Sequence, residues 1–271
     1  MATKSLAVEP LTPLIGAEVH GIDLSQPLDA DTRLQLHEAW IKHLVLFFRD
    51  QALSKQALRD FAGSFGELHI HPQGDVPGHP GIIEVRTDAS SKTYAGHLWH
   101  SDVSCEAEPP IGSILYLHQV PASGGDTLIA NMYAAYEALS APMQAFLGGL
   151  SALHSGQMSY RDYFGTPLEE MRDGVYPEAT HPVVTTHPVT GRKLLFVNEN
   201  FTHHIEGLEP VESQAILDFL YRHITQPRFQ CRFRWRPNSV AMWDNRCTQH
   251  LALWDYYPET RAGYRATLAA T

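Results

Sequence analysis

The sequence contains few cysteines, no excess of positive charge and no long apolar segment. It has three cysteines, Cys105, Cys231 and Cys247, and no two of them are spaced as Cys-x-x-Cys. This odd number fits a reducing compartment better than a disulfide framework, and it disfavours a thiolate zinc site. The sequence has no run of about 18 apolar residues for a membrane helix, and its first residues lack the apolar core of a signal peptide. We therefore expect a cytoplasmic protein that does not enter the membrane.

The charge balance is acidic, with 20 lysines and arginines against 30 aspartates and glutamates, a formal net charge of −10. A nucleic acid or an anionic lipid surface attracts proteins with a broad basic face, so neither is an expected partner. Any anion that the protein binds must be held by individual arginines. The 16 histidines are numerous, and histidine is the commonest metal ligand in proteins.

Length and patterning predict one domain that is mainly β, with flanking helices. A chain of 271 residues with 44% hydrophobic content can bury a single large core. Short alternating segments indicate strands, and there is no regular alternation of strands with helices. Helical spacing is predicted after Asp29, after Ser54, across residues 133–150 and across residues 209–224, and a hairpin is predicted around residues 190–191. Residues 72–95, rich in Gly, Pro and Ser, predict a loop or active-site lid around one strand-like piece, GIIEVR.

A possible metal group begins with His100 and Asp102 in LWHSDVSCEAEPP. On an extended strand, residues two apart face the same side, so the imidazole and the carboxylate would point to one place. His250 in WDNRCTQH is the candidate third ligand, and two histidines with one carboxylate form the facial set of non-haem Fe(II) oxygenases. A His-x-Asp pair alone also occurs by chance, and His250 alone is equally typical of a hydrogen-bonded core or surface histidine.

Two arginines, Arg261 and Arg265, lie four residues apart in TRAGYRATL and share a face in either a helix or a strand. Buried guanidinium groups require anionic partners, and the planar arginine side chain is suited to carboxylates. The alternative is a solvated face that binds nothing.

The motifs together are more specific than any of them alone. WHSDVS, PASGGDTLIANMYAAYEALS, HPVVTTHPVTGRKLLFVNENFT, WDNRCTQH and TRAGYRAT, in this order, closely resemble the taurine dioxygenase family of Fe(II)- and 2-oxoglutarate-dependent dioxygenases. The resemblance runs from about residue 7 to the C-terminus. It implies a double-stranded β-helix, or jelly roll, surrounded by helices, as one dioxygenase domain over residues 1–271. It also implies a homo-oligomer, either a dimer or a tetramer.

The resemblance implies roles for individual residues. His100, Asp102 and His250 match the iron ligands of the family. Thr127 and Arg261 match the residues that hold the distal carboxylate of 2-oxoglutarate.

Other matches concern the substrate. Arg265 matches a second arginine, near the other end of the co-substrate or the anionic group of the substrate. His71 matches a substrate-contacting histidine and Phe201 an aromatic wall. Asn198 and Trp243 match supporting positions, although ordinary packing explains them equally well.

The sequence departs from taurine-binding members of the family at two positions. Those members carry a tyrosine shortly after the HIHP-like segment and an asparagine shortly before the Trp-His pair. This chain has Gly74 and Gly96 near those places. The resemblance therefore implies a larger and less polar substrate pocket.

The implied activity uses Fe(II), 2-oxoglutarate and O2. Oxidative decarboxylation of 2-oxoglutarate to succinate and CO2 would drive hydroxylation of a small anionic substrate, such as an organosulfonate, an alkyl sulfate or a related acid. If the hydroxylated carbon bears a sulfonate, a sulfate or an aryl ether, its C–S or C–O bond would then break. The alternatives are a hydroxylase of an amino acid or natural-product intermediate without cleavage, a non-catalytic ligand-binding jelly roll and a zinc hydrolase.

Overall fold

The computed structural model describes residues 6–270. Its helices are α1 (Ala30–His43), α2 (Lys55–Gly63), α3 (Met132–Glu137), α4 (Ala141–Leu147) and α5 (Pro210–Ile224). Its strands are β1 (Ala7–Pro10), β2 (Ala17–His20), β3 (Val45–Phe48), β4 (Ile82–Thr87), β5 (Gly112–Gln119), β6 (Thr127–Asn131), β7 (Ser151–Ser155), β8 (Glu178–Pro182), β9 (Val184–Thr186), β10 (Lys193–Leu195), β11 (Thr202–Ile205), β12 (Gln230–Phe233), β13 (Ser239–Asp244), β14 (Thr248–Ala252) and β15 (Arg261–Leu268). None of the described helices combines the length and apolarity needed to cross a membrane.

The strands form a large sheet and smaller sheets. The large sheet has the order β1-β2-β3-β13-β5-β15-β4, and the small sheet that carries part of the site has the order β12-β6-β14. The chain moves between these two sheets at each step from β12 to β15, which is the winding of a jelly roll. The remaining strands form the β11-β7-β8 sheet and the β9-β10 hairpin, which confirms the predicted hairpin.

Two apolar cores hold these layers together. The first lies between the sheets, where Phe47 of β3 stacks on Phe233 of β12 with ring centroids 3.9 Å apart and planes at 9°. The second lies on the outer face of the large sheet, where α1 and α2 bury Trp40 and Phe61. These helices begin as predicted, at Asp29 and Ser54, whose side chains accept hydrogen bonds from the backbone N–H groups of Thr32 and Ala57.

The helix predicted across residues 133–150 is wrong as a single element, because the structure has two helices there. The Ser140 side chain accepts from the Met143 N–H and caps α4, whose first turn contains Pro142. A proline has no N–H to donate to the preceding turn, so it suits a helix start and interrupts a continuing helix. The strand-like piece within residues 72–95 is confirmed as β4.

We expect Phe47→Ala to lower the free energy of unfolding by about 3–5 kcal/mol, because it removes a fully buried ring from the contact between the two sheets. Denaturant unfolding measures the difference. Leu34→Ala removes an exposed side chain from α1 and should change stability by no more than about 0.5 kcal/mol. Equal effects of the two substitutions would contradict the assignment of this core.

Candidate metal centre and co-substrate site

His100 and His250 are held side by side by their own backbones. The His250 N–H donates to the His100 carbonyl at 2.9 Å, and the His100 N–H donates to the His250 carbonyl at 3.2 Å. His250 belongs to β14, whereas His100 makes only this isolated bridge. The two imidazole rings therefore lie with centroids 4.1 Å apart, although the residues are 150 positions apart in the sequence.

Asp102 reaches the histidines through a turn and not through a strand, so the expected strand geometry of the pair is wrong. The chain turns directly after His100, and Val103 has a left-handed backbone with φ of 50°. Asn245 fixes the turn, because its Oδ1 accepts from the Asp102 N–H at 2.6 Å and its Nδ2 donates to the Asp102 carbonyl at 2.9 Å. The carboxylate Oδ1 lies 3.7 Å from His100 Nε2 and 4.0 Å from His250 Nε2.

The three side chains present a donor set that fits Fe(II). Their ligand atoms all lie within 4.8 Å of one another and all three residues are buried. His100 Nδ1 lies 2.8 Å from the Leu98 carbonyl and donates to it, which leaves the Nε2 lone pair free. Ser113 Oγ donates to Asp102 Oδ2 at 2.7 Å and leaves Oδ1 for a metal. Two neutral imidazoles and one carboxylate are the facial set of non-haem iron oxygenases.

The charge states also suit metal binding. Burial tends to raise the pKa of Asp102, but the guanidinium of Arg265 and the imidazole of His250 lower this pKa more, to well below its usual range. Burial and the neighbouring His100 hold the pKa of His250 well below its usual range. An ionised carboxylate and a neutral imidazole are the protonation states that bind metals.

Arg265 is paired with the candidate metal ligand itself. Its Nη1 donates to Asp102 Oδ1 at 2.6 Å, on the oxygen that faces both histidines. The Nε of Arg265 is buried without a hydrogen-bond partner among the described residues. This guanidinium therefore has unused hydrogen-bonding capacity beside the metal group.

Arg261 and Thr127 form a second cationic site next to the histidines. Arg261 is 5% exposed, and it donates from Nε to the Gly125 carbonyl at 3.2 Å and from Nη2 to Thr127 Oγ1 at 3.5 Å. Trp235 Nε1 also donates to this hydroxyl, at 2.9 Å. Burial lowers the pKa of Arg261, but an arginine stays charged in proteins. Because its hydrogen-bond partners are neutral, the guanidinium can accept an anionic ligand.

A cavity of about 310 Å³ lies over the metal group. It is lined by His71, Phe201 and Arg265 and also reaches Arg261. Burial and then the nearby Arg265 charge lower the pKa of His71 to about 3, so this histidine is neutral at pH 7. Its Nδ1 accepts from the Gln73 N–H at 3.2 Å, which places the ring proton on Nε2. His71 is therefore a hydrogen-bond donor in this cavity.

The other residues selected from the sequence take supporting places. Asn198 Oδ1 accepts from the Phe201 N–H at 2.9 Å, and its Nδ2 donates to Ser104 Oγ at 2.9 Å. Trp243 packs against the His250 ring with centroids 4.6 Å apart. Asn198 thus holds the turn that carries Phe201, and Trp243 limits the movement of His250.

Gly74 and Gly96 differ in their surroundings. A Cβ at Gly74 would meet nothing within 4 Å, whereas a Cβ at Gly96 would lie 3.2 Å from the Cβ of Ala252. Both residues have φ above +80°, a backbone that other residues adopt only with strain. Gly96 lines the cavity, and a Cβ there would crowd Ala252 and lie 3.5 Å from the His100 ring, so the site accepts no larger residue without adjustment.

Sequence reasoning missed several residues of the site. Ser113 and Asn245 orient Asp102, and Tyr160 and Phe164 line the cavity from a π-helical turn at Met158–Tyr163 and the residue after it. Asn245 lies inside the WDNRCTQH motif, which was a usable signal. The segment around Tyr160 has neither hydrophobic periodicity nor a known motif, so no local pattern predicts that it lines the cavity.

A second group, His187, Asp244 and Cys247, also has metal-ligand spacing. Asp244 already binds Arg246 at 2.7 Å and His187 at 3.1 Å. Burial and the adjacent Asp244 charge raise the pKa of Cys247 well above its usual value, so the thiol stays protonated. These contacts describe a buried ion-pair network and not a thiolate metal site.

We expect Ser113→Ala to weaken Fe(II) binding by about 10- to 100-fold, because it removes the hydrogen bond that orients Asp102. Anaerobic metal titration measures the affinity. Ser213→Ala removes another buried serine hydroxyl, which accepts from the Ile205 N–H, and should leave the affinity unchanged. An equal affinity for both variants would contradict the role of Ser113.

Comparison with known proteins identifies the family. Residues 7–267 match the model described as the taurine catabolism dioxygenase TauD, TfdA family. An alpha-ketoglutarate-dependent sulfate ester dioxygenase of Pseudomonas putida is 37% identical over 97% of this chain and 89% of its own length. An alkylsulfatase of Acinetobacter baylyi is 36% identical over 98% of this chain and 86% of its own.

A crystal structure of a taurine dioxygenase from Burkholderia xenovorans is similar in fold. It has a TM-score of 0.85 and 38% identity, and the match covers 99% of this chain and 92% of that one. This agreement confirms the predicted mainly β fold as a double-stranded β-helix. The sulfate ester dioxygenase is named as dependent on alpha-ketoglutarate, another name for 2-oxoglutarate, and the family uses Fe(II), 2-oxoglutarate and O2. The chain therefore belongs to the TauD/TfdA family and is a 2-oxoglutarate-dependent dioxygenase.

Proposed function

We propose that this enzyme hydroxylates a small organic anion, which is an organosulfonate, an alkyl sulfate or a related acid. The observation that carries the proposal is the placement of Arg261 and Arg265. Both guanidinium groups line the same cavity space as His100, Asp102 and His250. The reaction has two anionic participants, 2-oxoglutarate and the substrate, and each would take one arginine.

Fe(II) would be held by His100, Asp102 and His250. When bound, the iron activates O2 and couples oxidation of a substrate C–H bond to the decarboxylation of 2-oxoglutarate into succinate and CO2. The three residues lie on one side of the site, so the other side is left for the co-substrates. A metal ion and Arg265 would compete for Oδ1 of Asp102. We therefore propose that metal binding releases the Arg265 guanidinium for an anion.

The distal carboxylate of 2-oxoglutarate would bind Arg261 and the Thr127 hydroxyl. Arg261 offers a planar pair of N–H donors, and its present partners are neutral oxygens. The Trp235 indole N–H donates to the Thr127 hydroxyl oxygen, so the hydroxyl proton of Thr127 points away from the indole and can be donated to an acceptor. The guanidinium carbon of Arg261 lies 5.6 Å from the centroid of the Trp235 ring, and this contact restricts the movement of Arg261.

The anionic group of the substrate would bind Arg265 and His71. One supplies a positive charge and the other a neutral Nε2–H donor, so an anion with several oxygen acceptors suits both. Phe201, Tyr160 and Phe164 form an aromatic part of the cavity lining and suit an apolar body. The names of the sulfate ester dioxygenase and the alkylsulfatase support the same substrate class.

Whether a C–O or C–S bond is cleaved after hydroxylation would depend on the group that the substrate carbon bears. A hydroxyl group placed on a carbon that bears a sulfate or a sulfonate makes an unstable product. It collapses to a carbonyl compound and releases sulfate or sulfite, without a further catalytic group.

We also propose an active-site lid, a cellular environment and an oligomeric state for this enzyme. Residues 72–95 would act as a lid, which is supported by the cavity contacts of Gln73, Thr93 and Tyr94. The three free, buried cysteines support a reducing, cytoplasmic environment. The family likeness supports a homodimer or homotetramer, with residues 1–271 acting as one dioxygenase domain.

We expect Arg261→Met to raise the Kd of 2-oxoglutarate at least about 30-fold, because loss of one partner of a buried charge pair removes about 2–5 kcal/mol. The visible charge-transfer band of the Fe(II)–2-oxoglutarate chelate, titrated without O2, reports the Kd. Arg192→Met removes an exposed guanidinium and should leave the Kd unchanged. A parent-like Kd for Arg261→Met would place the co-substrate elsewhere.

The substrate assignment is tested with hexyl sulfate, hexanesulfonate, phenoxyacetate and leucine, and with uncharged hexanol as the matched control. We expect hexyl sulfate or hexanesulfonate to stimulate succinate formation and hexanol to have no effect. Release of sulfate or sulfite would establish cleavage. Stimulation by leucine alone would indicate an amino acid hydroxylase, and stimulation by none of the anions would contradict the proposed substrate class.

In the same assay, His71→Ala should raise the KM of the active anion about tenfold, since a hydrogen bond to a charged group contributes about 1.5–3 kcal/mol. The exposed His118 provides the control, because His118→Ala removes an imidazole that does not line the cavity. An unchanged KM for His71→Ala would exclude His71 from the substrate site.

A further inference from the structure

The backbone on both sides of His71 is held by one arginine from a distant segment. Arg172 follows the short 3-10 turn Leu168–Glu170. Its backbone N–H donates to the Pro72 carbonyl at 2.7 Å, and its guanidinium donates to the Ile70 carbonyl. These two carbonyls immediately flank His71, so Arg172 fixes the chain before and after this residue.

Glu106 joins this contact to the metal side of the cavity. Its Oε1 lies 3.5 Å from Arg172 Nη2 and its Oε2 lies 2.6 Å from His69 Nε2. The backbone carbonyl of Glu106 is itself within 3.0 Å of His181 Nε2 on β8. The Glu106 and His69 side chains are only 15% and 9% exposed, which limits screening by water. Glu106 follows Asp102 by four positions, so one carboxylate links the metal turn to the segment that carries His71.

A second contact connects the same two segments. Gln73 Nε2 donates to Thr166 Oγ1 at 2.9 Å, and the Gln73 N–H is the donor that fixes the His71 ring. A hydrogen bond weakens steeply once its geometry departs from about 2.7–3.2 Å. Movement of residues 70–73 would therefore turn the His71 Nε2–H away from a bound anion.

We propose that Arg172 is a positioning residue for substrate binding, which holds His71 toward the substrate anion through the two flanking carbonyls and through Glu106. Arg172 does not line the cavity. Its effect on the substrate is indirect and passes through His71. The proposal rests on the proposed function, in which His71 binds the anionic group.

The test compares R172M, R172K and R161M. Arg161 lies on the same segment, is half exposed and pairs only with its neighbour Asp162 among the described acidic residues, so R161M is the matched control. Two quantities are measured: the hydrogen-exchange rate of the backbone at residues 69–75 without substrate, and the KM of hexyl sulfate or hexanesulfonate, whichever stimulates the parent more.

We expect R172M to exchange at least about tenfold faster at residues 69–75 and to have a KM raised about tenfold, because small displacements of a binding group lose much of its interaction. The kcat at saturation and the Kd of 2-oxoglutarate should stay near the parent values. The exchange rate and the KM of R172K should lie between those of the parent and R172M. Lysine keeps a charge and a donor, but it cannot bind both the Ile70 carbonyl and Glu106 as the planar guanidinium does. R161M should match the parent.

Unchanged exchange in R172M would overturn the proposal, and so would faster exchange with an unchanged KM, which indicates a structural role only. If none of the anions stimulates the parent, the proposed function fails, and the exchange rate alone then decides whether Arg172 holds the His71 segment. Should R172M fail to fold, R172K and E106Q provide the same comparison, since E106Q removes the charge of Glu106 while retaining its shape.

Discussion

The ion pair between Asp102 and Arg265 is the interaction on which the site depends. A buried carboxylate is destabilising by several kcal/mol unless a cation compensates it. Asp102 is 2% exposed and has Arg265 at 2.6 Å on the same oxygen that faces His100 and His250. The fold therefore tolerates a charged ligand before any metal is bound. A metal cation can replace the guanidinium without leaving the carboxylate uncompensated, and the released guanidinium becomes available to a second anion.

The jelly roll supplies the rigidity that this exchange requires. Arg261 and Arg265 lie on β15, which is hydrogen-bonded on one side to β5 and on the other to β4. Gly263 between them allows the closest approach of β15 to β5, since a Cβ there would lie 1.9 Å from the Tyr116 carbonyl oxygen. Both arginines are thus fixed to the inner sheet surface. The loops that carry His71 and Asp102 lack this support and use side-chain contacts from Arg172 and Asn245 instead.

The parts that sequence predicted are those with local patterns or motifs. The capped helices α1 and α2, the hairpin at residues 190–191 and the two arginines all follow from short-range spacing. The sequence motifs predict His100, Asp102 and His250 as a group, but they do not predict the turn that joins Asp102 to the histidines. That turn depends on Asn245, 143 positions away. Ser113, Tyr160 and Arg172 act only through contacts between distant segments, which no local pattern reveals.

A crystal structure with Mn(II) and N-oxalylglycine, an inert analogue of 2-oxoglutarate, tests the account most directly. We expect the metal to be bound by His100, Asp102 and His250. The distal carboxylate of the analogue should lie on Arg261 and Thr127, and the Arg265 guanidinium should have left Oδ1 of Asp102. A metal bound to other residues, or an analogue carboxylate away from Arg261, would contradict the account.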